Sequence, residues 1–315
     1  MKILVTGACG QLGSDVVKQA LKRGHEIVAT DINNSLSYDN FVQLDITNEQ
    51  DVMNAVESIE PNAIIHCAGW TAVDAAEDID NIRKVDMINH LGSLYLAKAT
   101  RAIDAKMLYI STDYVFNGEG EKPWAADCKN FGPLSVYGKS KLDGEFSISS
   151  TLLKFFIVRI SWVFGVNGDN FVKTMLKLSK KHNEIKVVND QIGTPTYTYD
   201  LARLLIDMAE TEKYGFYHAT NEGGFISWYD FAKEIFKFAN VNVNVVPVST
   251  KEYGISKAQR PMNSRLDKKK LIEKGFKPLP DWKDALIRYL KEIDKEELWG
   301  RLKLNIMLVE LRGYV

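Results

Sequence analysis

The chain has 315 residues, 45% of them hydrophobic, with 40 basic residues against 41 acidic ones and a formal net charge of −1. That apolar content suits a sizeable core in one large domain or two unequal ones, and the charge balance gives no overall attraction to nucleic acid or an anionic membrane. Cys9, Cys67 and Cys128 form no CxxC pair, the histidines show no metal-ligand spacing, and no apolar stretch reaches signal-peptide or membrane-spanning length, so a reducing cytoplasmic setting without a thiolate metal site is expected.

The start of the chain organises the rest. Strand-like MKILVTG runs straight into GACGQLG, then the amphipathic SDVVKQALKRG, then a second strand-like run, HEIVATD. Strand, glycine turn, helix and strand make half of a βαβ unit. Gly7, Gly10 and Gly13 fall three apart, where glycine permits a tight turn and close approach of a phosphate. The helix start behind them offers unpaired N–H groups and a positive dipole end. A strand–helix turn without a ligand would share these features. Asp31, ending the second strand, can accept hydrogen bonds from the adenosine ribose and repel an extra phosphate, which favours NADH over NADPH.

FVQLDIT predicts a third strand, and Asp45 with Ile46 could hold an adenine between a polar hook and an apolar wall. Thr47 is the expected N-cap of a helix over 48–60, with Gln50 in capping-box position. The strand AIIHCAG, a polar WTAVDAAED piece and a long helix over about 85–104 follow, with Asn89 and His90 near its start as packing or capping residues. MLYIS then delivers Ser111, Thr112 and Asp113 to the carboxyl edge of the sheet, where open α/β folds bind ligands.

The stretch YVFNGEGEKPWAADCKNFGPLS lacks a period and predicts a loop or lid. Ser135 starts a helix carrying Tyr137 and Lys141 one turn apart on one face, and FFIVRIS is a sixth strand. The expected fold is α/β, a Rossmann-type doubly wound parallel sheet over 1–164 with a smaller C-terminal substrate-binding region over 165–292. Part of that region is expected to return to the sheet. The tail 293–315 is apolar and predicts either cover for a core edge or pairing with a second copy as a homodimer. The lysines at 268–270 read as a solvated helix face.

Tyr137 and Lys141 suit acid–base chemistry. Hydride delivery to a ketone creates an alkoxide that needs a proton, and a free tyrosine near pKa 10 is too weak an acid. A neighbouring ammonium would lower that pKa, and Thr112 could hydrogen-bond the developing oxyanion. Packing alone could also explain all three residues. Their combination with a nucleotide-type N-terminus is more specific than any one of them.

GACGQLG, AGWTAVDAAE, STDYVFNG, PLSVYGKSKLDGE, RISWVFG, NFVKTMLKL, VVNDQIGTPT, SWYDFA and RPMNSRL, in that order, resemble the extended short-chain dehydrogenase/reductase family over about residues 1–290. The resemblance implies NAD(P)H-dependent reduction of a dTDP-linked 4-keto-6-deoxysugar, dTDP-4-dehydro-L-rhamnose, to dTDP-L-rhamnose. It implies a catalytic set of Thr112, Tyr137 and Lys141, the latter two also touching the cofactor. Gly7, Gly10, Gln11 and Leu12 would face the pyrophosphate, and Ala68, Gly69 and Thr71 the rest of the cofactor. Val73, Asp113, Tyr114, Trp162, Asn170, Gln191 and Pro195 would face the nucleotide-sugar, with Trp162 offering an apolar face to the deoxysugar. Arg265 can form a bidentate pair with a diphosphate. Trp70 departs from the family pattern, at a place that could tune which hexose is accepted. Some members of the family bind Mg2+ at a dimer contact, but no matching acids stand out here. A reductase or epimerase of another nucleotide sugar, and a non-catalytic regulatory subunit of the same fold, are the alternative readings.

Overall fold

The computed structural model describes residues 1–294. In chain order the first half is β1 (Lys2–Thr6), α1 (Gln11–Lys22), β2 (Glu26–Asp31), β3 (Phe41–Gln43), α2 (Glu49–Ile59), β4 (Ala63–His66), α3 (Ile79–Asp86), α4 (Gly92–Ala102), β5 (Lys106–Thr112), α5 (Val136–Thr151) and β6 (Phe155–Ile160). The second half is β7 (Val163–Phe164), α6 (Phe171–Ser179), β8 (Glu184–Val188), β9 (Ile192–Gly193), β10 (Thr196–Tyr197), α7 (Thr198–Ala209), β11 (Gly215–His218), β12 (Ile226–Ser227), α8 (Trp228–Phe238), β13 (Asn244–Val248), α9 (Thr250–Tyr253) and α10 (Lys269–Glu273). A helix over 282–294 closes the described chain.

Seven strands form one parallel sheet in the order β11-β6-β5-β4-β1-β2-β3. The order reverses beside β1, which opens a crevice at the carboxyl ends of β1 and β4. Alternation along each strand serves both faces. Ile3 and Val5 pack with α1 and α7, whereas Leu4, Ile64, Met107 and Tyr109 pack with α2, α4 and α5. A separate core around Phe164, Phe231, Trp282 and Tyr289 lies under α6, α8 and the helix over 282–294. Helix α7 and strand β11 come from the later part of the chain yet complete the sheet layer, β11 pairing with β6.

Four local expectations change. The N-cap of α2 is Asn48, whose side chain accepts from the N–H groups of Gln50 and Asp51, while Thr47 instead donates to Asp45. The helix expected over about 85–104 starts at Ile79 and is interrupted by a π-turn over Met87–Leu91. Residues 114–135 are not a free lid: Phe116 stacks on Trp124 at 4.6 Å and, with Val115, Leu142 and Leu266, forms a small core. The lysines at 268–270 are also not merely solvated. Lys268 donates to the Asn221 carbonyl and Lys270 pairs with Asp127. The apolar tail from residue 295 onward lies outside the described residues.

Candidate active site

The glycine turn is shaped by contact as well as by φ. Gly7 has φ +65°, and a Cβ there would lie 2.5 Å from the Ala68 nitrogen, so only a bare backbone lets β1 and β4 end side by side. Gly10 caps α1, leaving the first N–H groups of that helix directed at the crevice. A cleft of about 630 Å³ opens there, lined by Gly7, Gly10, Asp31, Asp45, Ile46, Ala68, Gly69 and Trp70 among others. Asp31 accepts from the N–H of Cys9 in the turn and of Ile32, which fixes its carboxylate at the rim. Exposed Arg83 and Lys84 line the same cleft. Gln11, Leu12 and Thr71 do not line it. Leu12 is in the core, Gln11 accepts from Asn170, and Thr71 is exposed.

Strand β5 and helix α5 bring the reactive groups together. Ser135 caps α5 by accepting from the Gly138 N–H, and Glu77 accepts from the Val136 N–H, fixing the start of the helix. Gly144 lets the helix approach the sheet, because a Cβ there would lie 2.5 Å from the Tyr109 hydroxyl. Tyr137, Lys141 and Glu145 thus succeed one another along the helix face turned to β5. Burial pushes the Tyr137 phenol up to about 12, against a hydrogen bond with Thr112 that favours the phenolate. Burial pushes the Lys141 ammonium down to about 7, against the pull of Glu145 and Cys67. Lys141 Nζ sits 4.0 Å over the Tyr109 ring.

The lowering expected from Lys141 together with an oxidised nicotinamide concerns the loaded site; in the free chain burial sets the Tyr137 phenol high. Thr112 is the group that favours the phenolate, and burial outweighs it. Asp113 is buried beside Thr112, which donates to its Oδ1 at 3.1 Å, and burial raises its carboxyl to about 7. Its Oδ2 has no well-aligned partner among the described residues. Glu145 forms a buried ion pair with Arg159 at 2.6 Å and also accepts from Ser111, which anchors the foot of α5 to β5 and β6.

Asn89, expected as a packing or capping residue, sits in the π-turn and positions the Trp70 backbone. Its Oδ1 accepts from the Trp70 N–H at 2.8 Å, and its Nδ2 donates to the Trp70 carbonyl and to Ser140. Behind it Ser93 donates to the Asn89 carbonyl, so the Ser93 oxygen must accept from His66 Nε2, leaving Nδ1 to accept from Thr6. Burial holds that imidazole neutral, its pKa lowered to about 3. One extra residue in the helical turn points Asn89 inward.

A second cleft of about 440 Å³ is lined by Asp74, Phe171, Met175, Lys186, Gln191, Trp228, Tyr253 and Arg260, with neighbours. Tyr114, edge-on to Tyr137 with centroids 5.6 Å apart, lies beside Arg260 of this cleft and so bridges it to the reactive corner. Trp162 is held at φ +51° and stacks on Trp228 at 3.8 Å, which ties it to the wall of this cleft. Val73 is half-buried in the loop just before Asp74. A larger cavity of about 710 Å³, lined by Asn117, Lys251, Lys257 and Arg260 among others, lies across the same segment.

Several expected substrate residues stand elsewhere. Arg265 lines neither cavity and donates to Asn263 at 3.0 Å, whereas Arg260, five residues earlier, occupies the cleft. Pro195 is buried, its carbonyl accepting from the Asn221 N–H. Asn170 caps α6, accepting from the Lys173 N–H while its amide donates to Gln11, Gly165 and Tyr289. Gln191 donates to Thr250 in the cleft wall. Trp70 stands in the cofactor cleft rather than the second one. Among the described residues, Asp86, His90 and Asp143 form a metal-capable group, but Asp86 pairs with His90 and Asp143 with Lys139. Nothing supports bound Mg2+.

Comparison with known proteins finds relatives over nearly the whole chain. The family described as "RmlD substrate binding domain" matches residues 1–295. The chain belongs to that family. Within it, a dTDP-4-dehydrorhamnose reductase of Aggregatibacter actinomycetemcomitans is 42% identical over 299 residues, covering 90% of this chain and 97% of that protein. A crystal structure of a dTDP-4-dehydrorhamnose reductase from Clostridium acetobutylicum is 40% identical with a TM-score of 0.86, covering 93% of this chain and 100% of that one. A Bacillus anthracis dTDP-4-dehydrorhamnose reductase, solved in complex with NADP, is 41% identical with a TM-score of 0.85, covering 92% and 99%. No helix among the described residues is long and apolar enough to cross a membrane.

Proposed function

We propose that the chain is an NAD(P)H-dependent oxidoreductase that reduces the 4-keto group of dTDP-4-dehydro-L-rhamnose to give dTDP-L-rhamnose. The observation that carries this reading is the placement of Tyr137 between two clefts. Lys141 approaches Gly69 of the first, and Tyr114 links Tyr137 to Arg260 of the second.

The first cleft fits a nicotinamide dinucleotide: bare glycine backbone and a helix start for the pyrophosphate, Asp31 for the ribose, Asp45 and Ile46 for the adenine. Asp31 favours NADH, while Arg83 and Lys84 supply positive charge that tolerates NADPH. The reduced nicotinamide, when bound, supplies the hydride. Tyr137 donates the proton to the sugar oxygen, and its high pKa keeps it protonated at neutral pH. Thr112, its single hydroxyl proton turned from Asp113, hydrogen-bonds that oxygen. Lys141 adds positive charge when protonated.

The second cleft fits the nucleotide-sugar. Lys186 and Arg260 face a diphosphate, and Phe171, Met175, Trp228 and Tyr253 offer apolar walls to a base or a deoxysugar. The test is consumption of NADH and NADPH by the purified chain on a panel of dTDP- and GDP-linked 4-keto sugars. Turnover restricted to the dTDP-linked 4-keto-6-deoxysugar is expected. Interconversion of sugars without net consumption of reductant would make the chain an epimerase instead.

A further inference from the structure

We propose that the loop over 67–78 couples the two clefts, with Asp74 as the positioning residue through which a bound cofactor strengthens the grip on the nucleotide. The inference rests on the nucleotide-sugar reading above. Cys67, Ala68, Gly69 and Trp70, at the start of the loop, are wall residues of the cofactor cleft. Four residues later, Asp74 accepts from both terminal guanidinium nitrogens of Arg260, at 3.2 and 2.7 Å, and from the Ala258 N–H at 3.0 Å. Asp78 accepts from Lys257 at 2.6 Å.

These contacts fasten the segment 253–262 across the gap to the C-terminal region. That segment supplies Tyr253, Ile255, Ser256 and Arg260 to the second cleft. Between the two latches, Glu77 accepts from the Val136 N–H at the start of α5, the helix that carries Tyr137 and Lys141. One loop therefore touches the cofactor wall, the catalytic helix and the nucleotide wall.

The physical basis of coupling is the side of the loop that faces outward. Gly69, Thr71 and Ala72 are exposed, and the Trp70 backbone is held by Asn89. A dinucleotide packed against Gly69 and Trp70 would add contacts that favour the loop conformation the structure shows, in which Asp74 meets Arg260. The segment 253–262 is then already in place when the nucleotide arrives, and its ordering no longer opposes binding. Linkage requires the reverse as well: the nucleotide must tighten the cofactor by the same factor.

The experiment is calorimetric titration of the full chain with dTDP, with and without saturating NADP+, and of NADP+ with and without dTDP. Roughly tenfold tighter dTDP binding with NADP+ is expected, matched by the same factor for NADP+. In Asp74→Asn that ratio should fall to about one, with NADP+ affinity in the absence of dTDP unchanged within about twofold. Lys257→Met removes one exposed latch, keeps the Arg260 fork and should lower the ratio part of the way. A ratio of one in the unaltered chain, or a full ratio in Asp74→Asn, would overturn the proposal. If Asp74→Asn does not fold, an undiminished ratio in Lys257→Met would overturn it. No dTDP binding under either condition overturns the nucleotide reading and the latch together. Binding indifferent to NADP+ overturns the latch alone.

Discussion

Lys141 holds its ammonium 4.0 Å above the centroid of the Tyr109 ring, on the helix that also carries Tyr137. Burial lowers its pKa from 10.5 to about 7. In the free chain the lysine therefore loses its proton near neutrality, while Tyr137 keeps its own up to about 12. kcat/KM for reduction should be level at lower pH and fall as pH rises through about 7. A profile level to pH 9, roughly two units higher, would show that the Lys141 charge plays no part.

The same burial has a stability consequence. A lysine whose folded pKa lies below its unfolded one penalises the fold fully below about pH 7, and the penalty fades as pH rises toward 10.5. Lys141→Met should therefore fold and gain about 0.5–2 kcal/mol at neutral pH while losing turnover. Thermal melting beside a turnover assay checks both halves, and a clear loss of stability would contradict the burial argument.

Tyr137→Phe removes the proton donor and little else, because the ring keeps its edge-on contact with Tyr114. Turnover should fall by about 10²–10⁴-fold with cofactor affinity nearly unchanged. Steady-state kinetics with cofactor titration decides it. Near-normal turnover would remove Tyr137 from its role.

Arg260 and Arg265 separate cleanly by mutation. Arg260→Ala should raise the KM for the nucleotide-sugar, at a cost of about 2–5 kcal/mol for losing a partly buried charged contact. Arg265→Ala should leave KM close to normal, since that side chain serves Asn263. The opposite ranking of KM values would return the diphosphate to Arg265.

Asn89→Ala should loosen the Trp70 backbone and leave its N–H and carbonyl without their side-chain partner, costing about 1–3 kcal/mol. The expected sign is weaker cofactor binding with the fall of kcat/KM through about pH 7 retained. Unaltered cofactor affinity, measured by titration, would show that the clamp does not shape the cleft.

How much was legible in the sequence follows from what each signal encodes. The alternation of apolar runs and amphipathic segments specifies strands and helices of a parallel layer, and the glycine turn and Asp31 carry a local backbone requirement. Tyr137 and Lys141 were visible because helical spacing places them on one face. Asn89 was not, because a π-turn shifts the phase by one residue and leaves hydrophobic spacing almost intact. Arg260 and Arg265 sit in an irregular stretch without a period, so only tertiary contacts tell them apart. That part of the C-terminal region returns to the sheet was expected, but which strand does so, and beside β6, is a long-range pairing that no local pattern records.

The most direct test of the central claim is isotopic. The purified chain is given NADPH deuterated at the transferable position of the nicotinamide together with dTDP-4-dehydro-L-rhamnose, and the product sugar is examined by NMR. The expected product is dTDP-L-rhamnose carrying deuterium at C4 in proportion to the NADPH consumed. Unchanged substrate, or a rearranged sugar without deuterium at C4, would contradict it.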